Sequence, residues 1–156
     1  MDIQSNQMTK EVEDWINEVI SKPNKIFGNL PPCPYARKAW KDKKVKVTYD
    51  RIVSEQDYEK VKSGELDLIM IIQQGANVDE LYEFKHYLEN TLGKDFVVLE
   101  DHPELKEDVG GMNLNFGKPV LFVQNRHKLN EARKFLETTD YYKNFDEEYK
   151  NDILSN

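Results

Sequence analysis

Cys33 is the single cysteine of the chain, and its neighbours are those expected around a reactive thiol. Pro34 follows it, and proline suits the first position of a helix, where its missing N–H is not needed. A thiol at a helix N-terminus lies at the positive end of the helix dipole, which lowers the thiol pKa and favours the thiolate. Arg37 and Lys38 add positive charge one turn further along. The alternative left open is a buried structural side chain, since unpaired cysteines are among the most buried residues.

His102 is the candidate partner of this thiol, because it follows an apolar segment and stands next to carboxylates. An imidazole in that position can act as a general base or as a metal ligand. Asp101 or Asn115 would orient the ring. The alternative is a loop histidine that, together with Pro103, only shapes a turn. The catalytic candidates are Cys33, His102, Asp101 and Asn115.

A glycine-rich loop follows His102, and loops of this length in compact domains are frequently binding loops or lids. Gly110 and Gly111 would let the backbone approach a ligand, although their spacing is not that of a phosphate-binding loop. The candidate contacts to a ligand or an anion are Arg37, Gly110, Gly111 and Lys118. The loop therefore predicts a binding function without specifying the ligand.

The sequence assigns no metal site and no cofactor. Neither His86 nor His127 has a second histidine or a cysteine at the spacing of metal ligands. Cys33, His102 and a neighbouring carboxylate would be a chemically reasonable ligand set for a divalent ion, but their spacing matches no known motif. A Cys/His metal site is therefore kept only as a further hypothesis.

The composition is that of an acidic protein that folds. Its 156 residues include 22 Lys+Arg and 29 Asp+Glu, and 11% are aromatic. The formal charge of -7 argues against nonspecific nucleic-acid binding. One cysteine excludes an internal disulfide, and the polar N-terminus does not resemble a signal peptide. The longest apolar run, Leu68–Ile72, is too short to cross a bilayer. We expect a cytoplasmic protein without a membrane partner.

The elements that must position the candidate residues follow the order ααβαβαββα. Alternating or continuous apolar residues predict four strands, at Val45–Tyr49, Leu66–Gln73, Phe96–Leu99 and Val120–Val123. Helical spacing and caps predict helices after Thr9, from Cys33, from Ser54 to Ser63, from Asn77 to Leu92 and around Leu129–Leu136. This order predicts an α/β protein, an α+β sandwich with a sheet of about four strands and helices packed on it. Ferredoxin-like topology is the first expectation and thioredoxin-like topology the alternative.

The chain is expected to form one domain over residues 1–156. Residues 1–7 are predicted to be flexible, and residues 141–156 are predicted to form a helical tail. The tail carries several tyrosines among acidic residues, which offers a surface for a protein partner. Nucleic acid is not expected as a partner.

Two resemblances to known families arise at these residues. Cys33-Pro34-Tyr35-Ala36 resembles the Cys-Pro-Tyr-Cys box of glutaredoxins, with Ala36 in place of the second cysteine. That resemblance implies monothiol chemistry, because Ala36 cannot resolve a mixed disulfide. Over roughly residues 12–136 the chain is also similar to a bacterial family of domains of unknown function. The matching features are Trp15, the Cys33 box, the run Leu66–Ile72 and His102-Pro103.

The second resemblance implies that Cys33 and His102 meet in space. Asn115 and Pro119 match a further Asn-Arg and proline segment of that family, with Phe116 where the family has arginine. The best functional expectation is a small cysteine-dependent enzyme that uses a thiolate nucleophile or thiol redox chemistry on a small molecule. The alternative is a non-catalytic binding or regulatory module in which Cys33 is structural.

Overall fold

The computed structural model describes residues 3–49, 54–105, 108–109 and 112–155. Its strands are β1 (Val45–Thr48), β2 (Leu68–Ile72), β3 (Phe96–Asp101), β4 (Asp108–Val109), β5 (Met112–Asn113) and β6 (Val120–Asn125). Four of them form one sheet in the order β1-β2-β6-β3, and β4 pairs with β5 in a separate short ladder. The four-stranded sheet coincides with the four predicted strands. It confirms the mixed α/β class.

The sheet contains both parallel and antiparallel pairs. β1 and β2 are parallel, with Val47 opposite Met70. β6 is antiparallel to both of its neighbours and places Leu121 opposite Ile71 of β2. It follows that the C-terminal ends of β1, β2 and β3 lie side by side at one end of the strands, where β6 begins.

The strand order differs from that of a ferredoxin-like sheet, which was the first expectation. In a ferredoxin-like fold the two strands of each β-α-β unit are split by another strand, so neighbouring strands are antiparallel. Here the helix between β1 and β2 returns the chain to the adjacent position, which makes the two strands parallel neighbours. The sheet also differs from a thioredoxin-like one, in which the first strand is internal, because β1 lies at the edge.

The α-helices of the described residues are α1 (Ile3–Trp15), α2 (Ala36–Lys41), α3 (Glu55–Ser63), α4 (Val78–Leu92), α5 (Arg126–Glu137) and α6 (Glu147–Leu154). A turn of π-helix, Ile16–Ile20, extends α1, and a 3-10 turn follows at Lys25–Phe27. α1 begins upstream of the predicted Thr9 cap. No glycine or proline interrupts the polar residues before Thr9, so the helix continues through them.

α4 has the cap that the sequence predicts. The Asn77 side chain accepts a hydrogen bond from the Glu80 backbone N–H at 2.8 Å, and the Glu80 carboxylate accepts one from the Asn77 N–H at 3.1 Å. This reciprocal pair is a capping box, which provides acceptors for two backbone donors that the helix leaves unpaired. α3 is likewise capped by Ser54 and ends at Ser63, as predicted, with Gly64 as its C-cap.

The chain divides into two compact units. The first, called the terminal unit, comprises Met1–Asp42, Asp108–Leu114 and Arg133–Asn156; the second, called the sheet unit, comprises Lys43–Glu107 and Asn115–Ala132. One domain over residues 1–156 stays a prediction. Among the described residues, no helix combines the length and the apolar composition that crossing a bilayer requires.

Each unit has its own buried cluster. In the sheet unit the buried cluster consists of apolar residues from α3, α4 and the strands: Val61, Ile69, Ile71, Leu81, Phe84, Leu88, Phe96, Val98, Leu121 and Val123. In the terminal unit the cluster is mainly aromatic and consists of Phe27, Leu136, Tyr141 and Tyr142. Leu81, Phe84 and Leu88, which recur at helical spacing along α4, therefore face this core.

Candidate functional site

Cys33 lies in a turn that precedes α2, in the terminal unit. Its backbone N–H donates to the Ile20 carbonyl at 2.8 Å, and its carbonyl accepts from the Ala36 N–H at 3.3 Å. Pro34 is therefore the second residue of a turn, a position that proline also favours because its φ is fixed. The predicted start of the helix at Cys33-Pro34 is wrong, since α2 begins at Ala36. The same proline that suits a helix start is used here in a turn.

The environment of the Cys33 thiol does not favour the thiolate. The residue is half-buried. Burial raises the pKa of the thiol above its ordinary value, and the backbone N–H groups of Tyr35 and Ala36 oppose this shift without reversing it. Arg37 donates to the carbonyl of Asn17 at 3.4 Å instead. The predicted lowering of the thiol pKa is therefore wrong in direction.

The tyrosine-rich tail packs around this part of the chain. The Tyr141 hydroxyl donates to the Pro32 carbonyl. Burial, followed by the charge of Cys33, raises the pKa of Tyr141 far above its ordinary value, which keeps the phenol neutral. Its ring lies 5.1 Å from Phe27 and 4.8 Å from Tyr142, measured between ring centroids. Tyr141 and Tyr142 therefore take part in core packing, and a partner surface on the rest of the tail stays a prediction.

His102 lies directly after β3 and is 6% exposed. Its Nε2 is 2.8 Å from the Ala76 carbonyl oxygen, and the Glu104 backbone N–H donates to its Nδ1 over 3.0 Å. Because a carbonyl oxygen only accepts and an amide N–H only donates, these contacts define a neutral ring protonated on Nε2. Both ring nitrogens are therefore occupied by backbone groups. The geometry is that of a histidine that stabilises a turn.

Asp101 and Asn115 belong to the same hydrogen-bonded group. The Asn115 amide donates to the carbonyls of His102 and Leu105, at 2.8 and 2.7 Å. The buried Asp101 carboxylate accepts from the Phe116 backbone N–H at 2.8 Å. Both side chains thus hold loop backbone in place, and Asn115 contacts the carbonyl of His102 instead of the ring that it was predicted to orient.

The structure brings three of the four catalytic candidates together. Asp101, His102 and Asn115 belong to the sheet unit, whereas Cys33 belongs to the terminal unit. Each hydrogen bond described above for the three joins residues of the sheet unit, mostly through backbone atoms. The group is therefore an arrangement that positions two loops.

The candidate ligand contacts that the structure describes belong to different units. Arg37 lies in α2 of the terminal unit, and the half-buried Lys118 lies just before β6 in the sheet unit. Gly110 and Gly111 lie outside the described residues. Within the described part of the chain, no group of three or more histidine, cysteine or acidic side chains is arranged to hold a metal ion.

Sequence reasoning missed a surface groove on α4. Its lining among the described residues consists of Glu80, Glu83, Phe84 and Tyr87, around a cavity of about 440 Å³. These positions follow the i, i+3, i+4, i+7 spacing of one helix face. The signal for this groove was an aromatic residue, Tyr87, preceded on the same helix face by Glu83 one turn earlier and by Glu80 two turns earlier.

Comparisons of the chain with protein-family models, with curated proteins and with solved structures find no match. The resemblances at the Cys33 box and at His102-Pro103 therefore stay predictions.

Proposed function

We propose that this protein is a non-catalytic binding module in which Cys33 and His102 have structural roles. The observation that carries the proposal is the contact of both His102 ring nitrogens with backbone groups. A general base needs a nitrogen that can reach the proton it removes, and a metal ligand needs a free lone pair. In this geometry the lone pair of Nδ1 is engaged by the Glu104 N–H.

The thiol supports the same conclusion. A cysteine nucleophile acts as the thiolate, so catalytic cysteines have environments that lower the thiol pKa. Burial raises the pKa of the Cys33 thiol, which disfavours the reactive form at neutral pH. We therefore favour the interpretation in which Cys33 packs in the terminal unit over that of a cysteine-dependent enzyme.

The binding surface that we propose is the groove on α4. It is a shallow, open depression of about 440 Å³ along one helix face, which suits a side chain of a partner better than an enclosed small molecule. The tyrosines of the tail are a poorer choice, because Tyr141 and Tyr142 are buried. The partner surface is thus assigned to α4 of the sheet unit instead of the tail.

We also propose that the protein acts in the cytoplasm. The support is its single cysteine, which cannot form an internal disulfide and is compatible with a reducing compartment. The acidic composition supports a protein or peptide partner over nucleic acid, since nonspecific nucleic-acid binding depends on basic surfaces.

The proposal is tested by the rate of Cys33 alkylation with iodoacetamide as a function of pH. We expect an apparent thiol pKa above the ordinary value of 9.0, and slow alkylation at neutral pH. The matched control is the double variant Cys33→Ala/Glu131→Cys, which moves the thiol to an exposed position on α5. Its alkylation should be faster than that of Cys33 at every pH.

A thiol that titrates below the ordinary value and reacts faster than this control would contradict the proposal. A second measurement concerns His102. At pH 8.5, where an ordinary imidazole is neutral because its pKa is about 6.5, ¹⁵N chemical shifts should report the tautomer protonated on Nε2. The opposite tautomer would mean that the contacts with Ala76 and Glu104 do not exist in solution.

A further inference from the structure

The α4 groove has a defined floor and wall. Phe84 is buried and forms the floor, because its ring belongs to the core cluster of the sheet unit. Tyr87 forms a wall and is 63% exposed. The two rings are nearly parallel, with an interplanar angle of 15° and centroids 6.4 Å apart. The accessible aromatic surface of the groove is therefore mainly the Tyr87 ring, which stacks beside the buried ring of Phe84.

Two carboxylates lie on the same helix face, one turn before the aromatic pair. Glu80 and Glu83 are both exposed and both line the groove. The capping box with Asn77 restrains the Glu80 side chain, so its position is fixed before any ligand arrives. A negative edge beside an aromatic face selects a cation, since the ring face attracts positive charge and the carboxylates pair with it.

Among cationic side chains, arginine fits this chemistry better than lysine. The planar guanidinium stacks on aromatic rings and donates hydrogen bonds in a fixed fork to carboxylates. An ammonium is a compact, strongly hydrated charge that loses more on leaving water. Tyrosine and arginine are also among the residues most enriched at the positions that dominate binding energy in protein interfaces.

We infer that the α4 groove binds an arginine-containing peptide segment of a partner protein, with one guanidinium stacked on Tyr87 and paired with Glu83, and with Glu80 adding negative charge at the other end of the groove. This inference rests on the proposed function, because it names the partner of the same surface. The net charge of -7 adds a general attraction toward a basic partner. The contacts are few, so the complex is a weak one unless further parts of the partner contribute.

The experiment is an NMR titration of the full chain with an acetylated, amidated pentapeptide that has two arginines alternating with glycines. We expect saturable shift changes centred on α4 around Glu83 and Tyr87. The lysine version should bind about fivefold more weakly, and the citrulline version, which lacks the charge, should not bind.

Two variants and a matched control locate the contact. Tyr87→Ser should weaken binding of the arginine peptide by about fivefold or more, because it removes the stacking face. Glu83→Gln should weaken it about threefold by removing one carboxylate. The control is Glu89→Gln, which makes the same charge change at an exposed position of α4 that contacts His86 instead of the groove. It should leave the affinity unchanged.

The inference is overturned if the arginine peptide causes no saturable shifts, or if Glu89→Gln weakens binding as much as Glu83→Gln. It is also overturned if the chain self-associates in sedimentation and Tyr87→Ser abolishes that association, because the occupant is then a second copy of the chain. These failures are distinct from failure of the proposed function, which the titration of the Cys33 thiol decides.

Discussion

The two units of the chain are stabilised by different kinds of contacts. In the sheet unit, the buried side chains come from strands and helices whose apolar residues recur at regular intervals. In the terminal unit, the buried cluster joins Phe27, in a single 3-10 turn, to aromatic residues of the tail. Tyr141 and Phe145 each pack against several neighbouring rings, with centroid separations near 5 Å. The first kind of core follows a periodic sequence pattern, and the second does not.

The difference bears directly on the candidate chemistry. Cys33 is in an irregular segment of the terminal unit, where a proline is compatible with both a helix start and a turn. The sequence does not distinguish a helix start from a turn at this proline. The difference matters because only a helix that starts at Cys33 would place the thiol at the positive end of a helix dipole and lower its pKa. His102, in contrast, directly follows a strand that its apolar residues predict. Its position was therefore predictable, although its hydrogen bonds were not.

Phe27→Ala is expected to have the largest effect on the terminal unit. Phe27 is 1% exposed and contacts the rings of Tyr141 and Phe145. Removing the ring leaves a cavity, and such substitutions cost about 3–5 kcal/mol in the free energy of unfolding. Urea unfolding followed by circular dichroism measures the loss. Phe135→Ala, at a 60% exposed position of the same unit, is the control and should change stability by less than about 0.5 kcal/mol.

Equal effects of Phe27→Ala and Phe135→Ala would mean that the aromatic cluster does not hold the terminal unit together. The comparison of the two units would then lose its basis, because the sheet unit alone would have a core that determines stability.

Substitution of two glycines sharpens the same comparison. Gly28 has a φ of +65°, and a Cβ there would lie 2.7 Å from the backbone carbonyl group of Asp140. Gly28→Ala should therefore cost about 2–4 kcal/mol, from left-handed strain together with a clash against backbone that cannot rotate away. Gly75 in the sheet unit has a similar φ of +84°, but a Cβ at that position would have no described neighbour within 4 Å. Gly75→Ala should cost only about 1 kcal/mol, from the strain alone.

Thermal unfolding of both glycine variants measures the difference. If the two variants are equally stable, the close approach of Gly28 to Asp140 does not exist in solution. The tail would then not pack against the segment that contains Phe27.

Changes at His102 test whether the ring is structural. His102→Ala removes the part-buried contacts to Ala76 and Glu104 and empties the space of a buried ring, which should cost about 1–3 kcal/mol. His102→Asn keeps a side-chain acceptor near the Glu104 N–H and should lose less, since asparagine forms the equivalent turn contact. Hydrogen exchange at the Glu104 amide reports the difference locally. An Asn variant that is no better protected than the Ala variant would contradict this role.

The extent to which the sequence predicts the structure follows from these contacts. The four strands and α3, α4 and α5 were predictable because periodic apolar residues and caps such as Asn77 and Ser54 are local signals. The strand order was not, because periodicity does not indicate whether β2 returns beside β1 or one strand away. The α4 groove was missed for a related reason: the helical spacing of Leu81, Phe84 and Leu88 places Phe84 on the buried face, but it does not show that Tyr87 lines a groove beside it.

The smallest expected effect is the change in the free energy of unfolding at alkaline pH, which depends on buried and half-buried tyrosines in each of the two units. Burial raises the pKa of Tyr58 in the sheet unit to about 12, from 10.0 in an exposed phenol. The folded chain therefore retains this proton where the unfolded chain has lost it, so the stabilisation is complete below pH 10 and is lost as pH rises through about 12. In the terminal unit burial also raises the pKa values of Tyr141 and Tyr142, so two phenols contribute there.

Two variants test this pH dependence. Tyr58→Phe keeps the ring against Phe96 and should make the fall of the free energy of unfolding with rising pH shallower. Tyr141→Phe should reduce the same fall by a larger amount. Tyrosinate absorbance and circular dichroism recorded together test this, because phenols that ionise near pH 10 without loss of structure would show that neither set is buried.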